Sequence, residues 1–224
     1  MRDKVFVHII ESPSDENMLD GLTEGRSLAS ALELAGIHHC YNLVTTEKSL
    51  QIALYGRLSE EIQKNGMLPI LHFSMHGGTG GIQLTDNKII TWHELYQLIM
   101  PIQQLLQKYS LDLLICMSSC YGSFATQMAQ IKEGDIPFQF LIGNRDMIHW
   151  SDAAVAYITF YHLLFKGFDP NYCYETMKLA SGNDQFEIYN GQQVHFNWIT
   201  YNQQFKQNLA REVATRLKQR QISY

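Results

Sequence analysis

The chain has 224 residues, 46% of them apolar, and a formal net charge of −5, so it can bury a sizeable core. That balance, with no Lys/Arg block, argues against nucleic acid as a partner. Four cysteines with no C-x-x-C pair argue against a disulfide framework or a structural zinc, and no run approaches the roughly 20 apolar residues of a membrane span.

The opening MRDKVFVHIIESPSDE reaches acidic residues after too short an apolar stretch for a secretory signal, so the cytoplasm is the expected compartment. Residues 4–11 (KVFVHIIE) are predicted as a strand and SPSDEN as its turn. Leu28, Leu32 and Ala35 fall at helical spacing in 22–36, which stops at Gly36. A short strand at 40–44 and an amphipathic helix at 47–64 follow. MLPILHFSM at 67–75 reads as a strand buried on both faces. Next, GIQLTDNKIITWHEL alternates around Asp86-Asn87 as a small hairpin. It leads into a helix capped by Thr91, with Glu94 completing a capping box, that runs to Lys108 with a kink at Pro101.

A buried strand is predicted at 111–119, and CYGSFATQMAQ turns from it directly into a helix. A strand at 137–144 and helices at 151–166 and 170–181 come next. FEIYNGQQVHF reads as a late hairpin centred on Asn190-Gly191, and a helix over 201–220 closes the chain. Its apolar stripe through Phe205, Leu209, Val213 and Leu217 suits packing, or a partner. Strands alternating with helices predict an α/β fold with a mostly parallel sheet covered on both faces, in one domain spanning residues 1–224.

In such a sheet, functional groups gather beyond the carboxyl ends of the strands. Three ends are chemically rich: Glu11-Ser12-Pro13-Ser14, His76-Gly77-Gly78 and Ser118-Ser119-Cys120-Tyr121-Gly122. Neighbouring parallel strands lie about 4.8 Å apart, and His76 and Cys120 occupy equivalent positions on successive core strands. An imidazole beside a thiol can generate the thiolate nucleophile. Adjoining glycines leave room for a substrate backbone, and the N–H groups of Gly77 and Cys120 are candidate oxyanion donors. The blander alternatives are a hydrogen-bonded structural histidine and a cysteine that fills space, which is also how His72 and Cys116 read. HGGTGG is neither the dinucleotide G-x-G-x-x-G nor a phosphate-binding P-loop. His38-His39-Cys40 lacks a fourth ligand at zinc spacing, so no metal or cofactor is expected.

The order LHFSMHGG, GIQLTDNKIITWHEL, LLICMSSCYGS resembles the caspase-like cysteine peptidases, and most closely the bacterial CHAT branch. The similarity continues through Asp152, Phe160-Tyr161 and Gly167 and covers about residues 4–181. In caspases the histidine precedes the cysteine by about 50 residues, and 76 to 120 is of that order. The resemblance implies a caspase-like three-layer αβα sandwich with small accessory hairpins. It further implies His76 as base or imidazolium partner, Cys120 as nucleophile, and Gly77 with Cys120 as oxyanion donors. Only the Cys-x-Gly core of the caspase Gln-Ala-Cys-x-Gly signature is present. Ser118 stands where metacaspases place an aspartate that binds basic side chains, so neither branch's specificity transfers.

The family's substrate pocket is shaped by loops after the first and fourth strands. Glu11 or Asp20, in a loop that also carries Asp15, Glu16 and Glu24, could recognise Arg or Lys there; the alternative is a solvated loop whose acids favour a helix N-terminus. Ser118 belongs to that pocket by position. His149-Trp150-Ser151-Asp152 could wall the cleft, or Ser151 or Asp152 could simply cap a helix. By analogy the expected function is cleavage of a specific partner protein, one encoded nearby being the candidate, in bacterial defence or regulated cell death. The alternative is a catalytically silent or latent interaction module on the same fold.

Overall fold

A computed structural model describes residues 4–108 and 112–222, with side chains through residue 216. The predicted strand's first residue, Leu111, and the side chain of Leu217 lie outside that range.

The backbone of the fold is a sheet of order β2-β1-β3-β6-β7-β8. Its strands are β1 (Val5–Ser12), β2 (His39–Leu43), β3 (Leu68–Gly78), β6 (Leu114–Ser118), β7 (Phe140–Asn144) and β8 (Phe186–Asn190). All neighbours are parallel except β7 and β8. β3 is flanked by β1 and β6, which is why LPILHFSM carries so few polar residues: both its edges and both its faces are covered. Two short strands, β4 (Gly81–Gln83) and β5 (Ile89–Thr91), form the predicted hairpin and pair with the end of β3. Its turn works because Asn87 accepts a left-handed backbone (φ 64°) and Asp86 Oδ1 accepts the Lys88 N–H at 3.0 Å.

Helices cover both faces. One layer contains α2 (Glu24–Leu34), α6 (Trp150–Phe165) and α7 (Pro170–Ser181), which bury Val7, Ile9, Cys116 and Ile142 beneath Leu28, Leu32, Tyr157, Phe160 and Met177. On the opposite face Phe6, Ile10, Phe73, Met75, Ile115 and Met117 pack under three elements: the helix of residues 47–65, α5 (Trp92–Gln107) and a 3₁₀ helix (Gly122–Gln130). The predicted 47–64 helix is continuous but changes winding, from α3 (Glu47–Gln51) through a π segment (Ile52–Arg57) to α4 (Leu58–Asn65). The Thr91–Glu94 capping box on α5 forms in both directions, with Glu94 N–H on Thr91 Oγ1 at 3.2 Å and Thr91 N–H on Glu94 Oε2 at 2.8 Å. Such a cap contributes about 1 kcal/mol.

Three predicted elements take another form. SPSDEN is not all turn: Ser14 caps a short helix, α1 (Asp15–Leu19), by accepting the Asn17 N–H at 3.2 Å. The segment after Cys120 is wound as 3₁₀ rather than α. The late hairpin is absent; β8 passes directly into α8 (Gly191–Ile222), and the helix predicted from 201 begins ten residues earlier. Asn-Gly serves there as a helix start. Asn190 Oδ1 accepts the Gln193 N–H at 3.1 Å, and a Cβ on Gly191 would sit 2.0 Å from the Phe138 carbonyl oxygen. Beyond its first turns α8 does not act as a packing helix, because Tyr201, Phe205, Leu209 and Val213 are exposed. No helix among the described residues is long and apolar enough to cross a membrane.

Candidate active site

The register of β3 against β6 sets the site. Ser74 pairs with Ser118 at the end of the parallel ladder, so His76 and Cys120 each lie two residues past the last paired position, His76 still within β3 and Cys120 in the turn that follows β6. β3 continues past that point by pairing with β4, which holds His76 in extended backbone opposite Gln83. β6 instead stops at Ser118 and turns. Tyr121 adopts a left-handed conformation (φ 56°), and the Gly122 N–H returns to the Ser119 carbonyl at 3.2 Å. A non-glycine residue in that region costs free energy that surrounding contacts must offset. Here the Tyr121 N–H donates to the Asp146 carbonyl at 3.0 Å, tying the turn to the loop after β7.

Two glycines let the turn sit between its neighbours. A Cβ on Gly77 would lie 2.5 Å from the Cys120 carbonyl oxygen, and one on Gly143 would lie 2.5 Å from the Gly122 carbonyl carbon. Gly77 is therefore required by backbone contact with the Cys120 peptide, beside any role of its N–H. The Cys120 N–H donates to no acceptor among the described residues.

The loop after β7 closes around both side chains. Buried Asn144 donates to the carbonyls of Asp146 (2.8 Å) and Met147 (3.3 Å) and fixes that loop's course. It thereby aims the Ile148 N–H at Cys120 Sγ, 3.5 Å away, with the Ile148 carbonyl 3.8 Å from the sulfur. Trp150 stands edge-to-face on the His76 ring at 5.4 Å. From the other strand end, Asn17 of α1 places its Nδ2 3.0 Å from His76 Nε2. Half-buried in this setting, His76 has its pKa lowered from 6.5 by burial, which favours the neutral imidazole. No hydrogen bond joins His76 to Cys120 among the described residues: the sulfur faces Ile148 and Nε2 faces Asn17. A neutral imidazole next to an accessible thiol can serve as base once substrate or a rotamer change closes that gap.

The proposed pocket residues are not brought together. Glu11 is buried. Its carboxylate accepts the N–H groups of Gly25 (2.8 Å) and Arg26 (3.1 Å) at the start of α2, and the Tyr41 hydroxyl at 2.6 Å. The Glu11 carboxylate thus anchors α2 to the sheet and cannot reach a cleft. Its pKa is raised, foremost by burial, against the lowering effect of the Tyr41 hydroxyl. Ser118 is buried too, with an Oγ that has no hydrogen-bond partner among the described residues, as are the hydroxyls of Ser74 and Ser119. Asp20 is exposed at the C-cap of α1. Asp152 lies in the first turn of α6 and accepts from the Ser151 hydroxyl at 3.3 Å. Asn17 and the Ile148 N–H escaped sequence reading; a carboxamide in a polar turn and a backbone donor leave no pattern of residue types. All four cysteines are free, and the described residues hold no cluster of three His, Cys, Asp or Glu that could bind a metal ion.

No family model matches the chain, and no curated protein matches it. Among solved structures it is similar to the complex of the Porphyromonas gingivalis RgpB pro- and mature domains. The identity is 12%, the TM-score is 0.51, and the match covers 84% of this chain and 48% of that one. The chain thus spans about half the length of this structural relative. At that identity the likeness carries the fold alone, a mixed α/β arrangement of the caspase-like kind with a mostly parallel sheet between helices.

Proposed function

We propose that this chain is a caspase-like cysteine endopeptidase in which Cys120 is the nucleophile and His76 handles the proton. The observation that carries this reading is the β3–β6 register, whose last pair is Ser74 with Ser118, so that His76 and Cys120 each follow it by two residues at the carboxyl edge of the sheet. The caspase-like fold supports it.

In the first step His76 takes the thiol proton and the sulfur forms a bond to the scissile carbonyl carbon. The carbonyl π electrons move onto oxygen, where the N–H groups of Gly77 and Cys120 would stabilise the charge. Collapse of the intermediate breaks the C–N bond, and the imidazolium returns its proton to the departing amine. Water, deprotonated by the same imidazole, then releases the acyl group and restores the thiol. The motif order favours the CHAT branch, and with it a partner protein as substrate in bacterial defence or regulated cell death; that step is fold analogy. With Glu11 occupied by α2, Asp20 and Asp152 are the acids left to favour Arg or Lys at the cleavage site.

One observation favours a second reading, a latent form: Nε2 is engaged by Asn17 and the sulfur by Ile148, with no bond between the two groups. A peptide carrying an electrophilic ketone separates the two readings. Labelling at Cys120, lost in Cys120→Ala, supports the peptidase. Labelling only after addition of cell extract supports latency, and no labelling in either condition leaves an interaction module. A fluorogenic peptide panel then reads residue preference, and equal rates after Arg, Ala and Asp would remove the two acids from recognition.

A further inference from the structure

We infer that Asn17 is the positioning residue for His76, presenting its amide nitrogen to the resting neutral imidazole and its oxygen to the form that takes and holds the thiol proton. This rests on the reading of His76 as the proton carrier of Cys120. Asn17 is held from two sides: its N–H donates to Ser14 Oγ at 3.2 Å, and its carbonyl accepts the Leu22 N–H at 2.8 Å. Its side chain is therefore delivered to the imidazole by a short capped turn, and it sits 3.0 Å from Nε2. On another side the ring meets Trp150 edge-to-face at 5.4 Å.

A carboxamide has a donor end and an acceptor end related by a half-turn about one bond. With nitrogen toward the ring, Nε2 must be the acceptor, so the proton of the neutral imidazole lies on Nδ1. With oxygen toward the ring, Nε2 carries a hydrogen, as imidazolium requires. With nitrogen on Nε2 the ring's one lone pair is occupied, so the thiol proton is accepted only after the amide turns and the ring proton moves to Nε2. Nε2–H then donates to the Asn17 oxygen, the Nδ1 lone pair is free to take the proton, and the Nε2–H···O bond persists in the imidazolium. A carboxylate would favour only the charged form and a hydrocarbon neither.

The titratable groups on the surrounding elements are the Cys120 thiol, Asp15, Glu16 and Asp20 on or beside α1, and His149 and Asp152 at the start of α6. None hydrogen-bonds to His76 among the described residues, and burial alone accounts for its lowered pKa. The acids of α1 are exposed, which leaves the neutral amide as the polar side chain bonded to the ring.

The test follows the His76 ring by NMR against pH in the full chain, in a Cys120→Ala background, with Asn17, Asn17→Asp and Asn17→Leu. Asn17→Asp should raise the titration midpoint by about one unit, and Asn17→Leu should change the tautomer read from the ring nitrogen shifts. With Cys120 present, Asn17→Leu should lower kcat on a peptide substrate about tenfold with KM held within about twofold. The acid limb of Asn17→Asp should move with its NMR midpoint. Identical midpoints and tautomers in all three proteins would overturn the proposal even if peptidase activity is intact. Faster turnover by Asn17→Leu would also overturn it, because the amide would then be holding the site closed. Shifts as expected in a protein that neither cleaves nor labels would uphold the positioning role and remove the peptidase reading.

Discussion

Two histidine–cysteine pairs lie along the β3–β6 seam, one inside the sheet and one at its carboxyl edge. His72 faces Cys116 as a direct register partner, and four residues nearer the carboxyl edge His76 and Cys120 lie just past the last paired residues, Ser74 and Ser118. The inner pair is buried. His72 Nδ1 and the Tyr161 hydroxyl hydrogen-bond at 3.1 Å, and Nε2 meets Glu24 Oε2 at 3.5 Å. Burial pushes the Cys116 thiol up to about 12, so its sulfur is inert filling. The outer pair is half-exposed, opens on glycines and loops, and has an N–H aimed at sulfur. The same residue types within a strand pair and just beyond its end thus have opposite chemical prospects. What separates them is whether water, substrate and backbone donors can reach the side chain.

The sharpest way to break that comparison is to delete each sulfur. Cys120→Ala should lower peptide cleavage by at least about a thousandfold without changing the thermal midpoint. Cys116→Ala should leave kcat unaltered and cost about 1–2 kcal/mol of stability in a urea titration, as a small core deletion does. Loss of activity from Cys116→Ala alone would erase the distinction.

Buried imidazoles should report in stability, whereas the edge imidazole should report in rate. His8, buried on the opposite face with Nε2 3.0 Å from the Ala53 carbonyl, has a pKa lowered from 6.5 to about 4 by burial. The unfolded chain therefore takes up its proton at higher pH than the folded one. Its contribution is complete above pH 6.5 and is lost as pH falls toward 4, with an amplitude of about 3 kcal/mol. Glu11, with its pKa raised from 4.5, has the opposite sign: its share is present below pH 4.5 and is lost as pH rises through the folded value. Urea midpoints of the parent and of His8→Gln at pH 7.5 and pH 5 should converge once the imidazole is removed. Parallel curves would place the acid sensitivity elsewhere.

Glu24→Ala tests the inner pair. Removing the carboxylate leaves His72 Nε2 buried without its partner, which should cost about 2 kcal/mol while labelling of Cys120 proceeds at its usual rate. The smallest effect is the position of the acid limb. Because burial lowers the His76 pKa, cleavage should fall with acidity at a midpoint below 6.5, and a midpoint above that value would point to another base.

Much of the sheet was legible because buried parallel strands advertise themselves as apolar runs. LPILHFSM and LLICM were read as neighbouring core strands, and β3 and β6 pair in that order. Helical spacing also marked α2, Thr91 with Glu94 marked the start of α5, and the predicted helices at 151–166 and 170–181 match α6 and α7. Reading failed where one residue type serves two geometries. Asn190-Gly191 suits a hairpin turn as well as a helix cap, and only the approach of Gly191 to the Phe138 carbonyl decides between them. Glu11 looked like a cleft acid because it ends a strand, but the N-terminus of α2 lies directly over it and takes both carboxylate oxygens.

By itself, the sequence determined the alternation of strands and helices, the glycine-flanked strand ends, and the presence of one histidine and one cysteine at matching edges, because burial and strand pairing leave short-range patterns of residue type. Tertiary structure alone decided which groups meet those side chains. Asn17 reaches His76 across a gap of dozens of residues, Ile148 contributes a backbone N–H that has no residue signature, and Glu11 turns inward. Those contacts depend on strand order and loop course, which are set by the packing of the whole chain rather than by any local stretch of it.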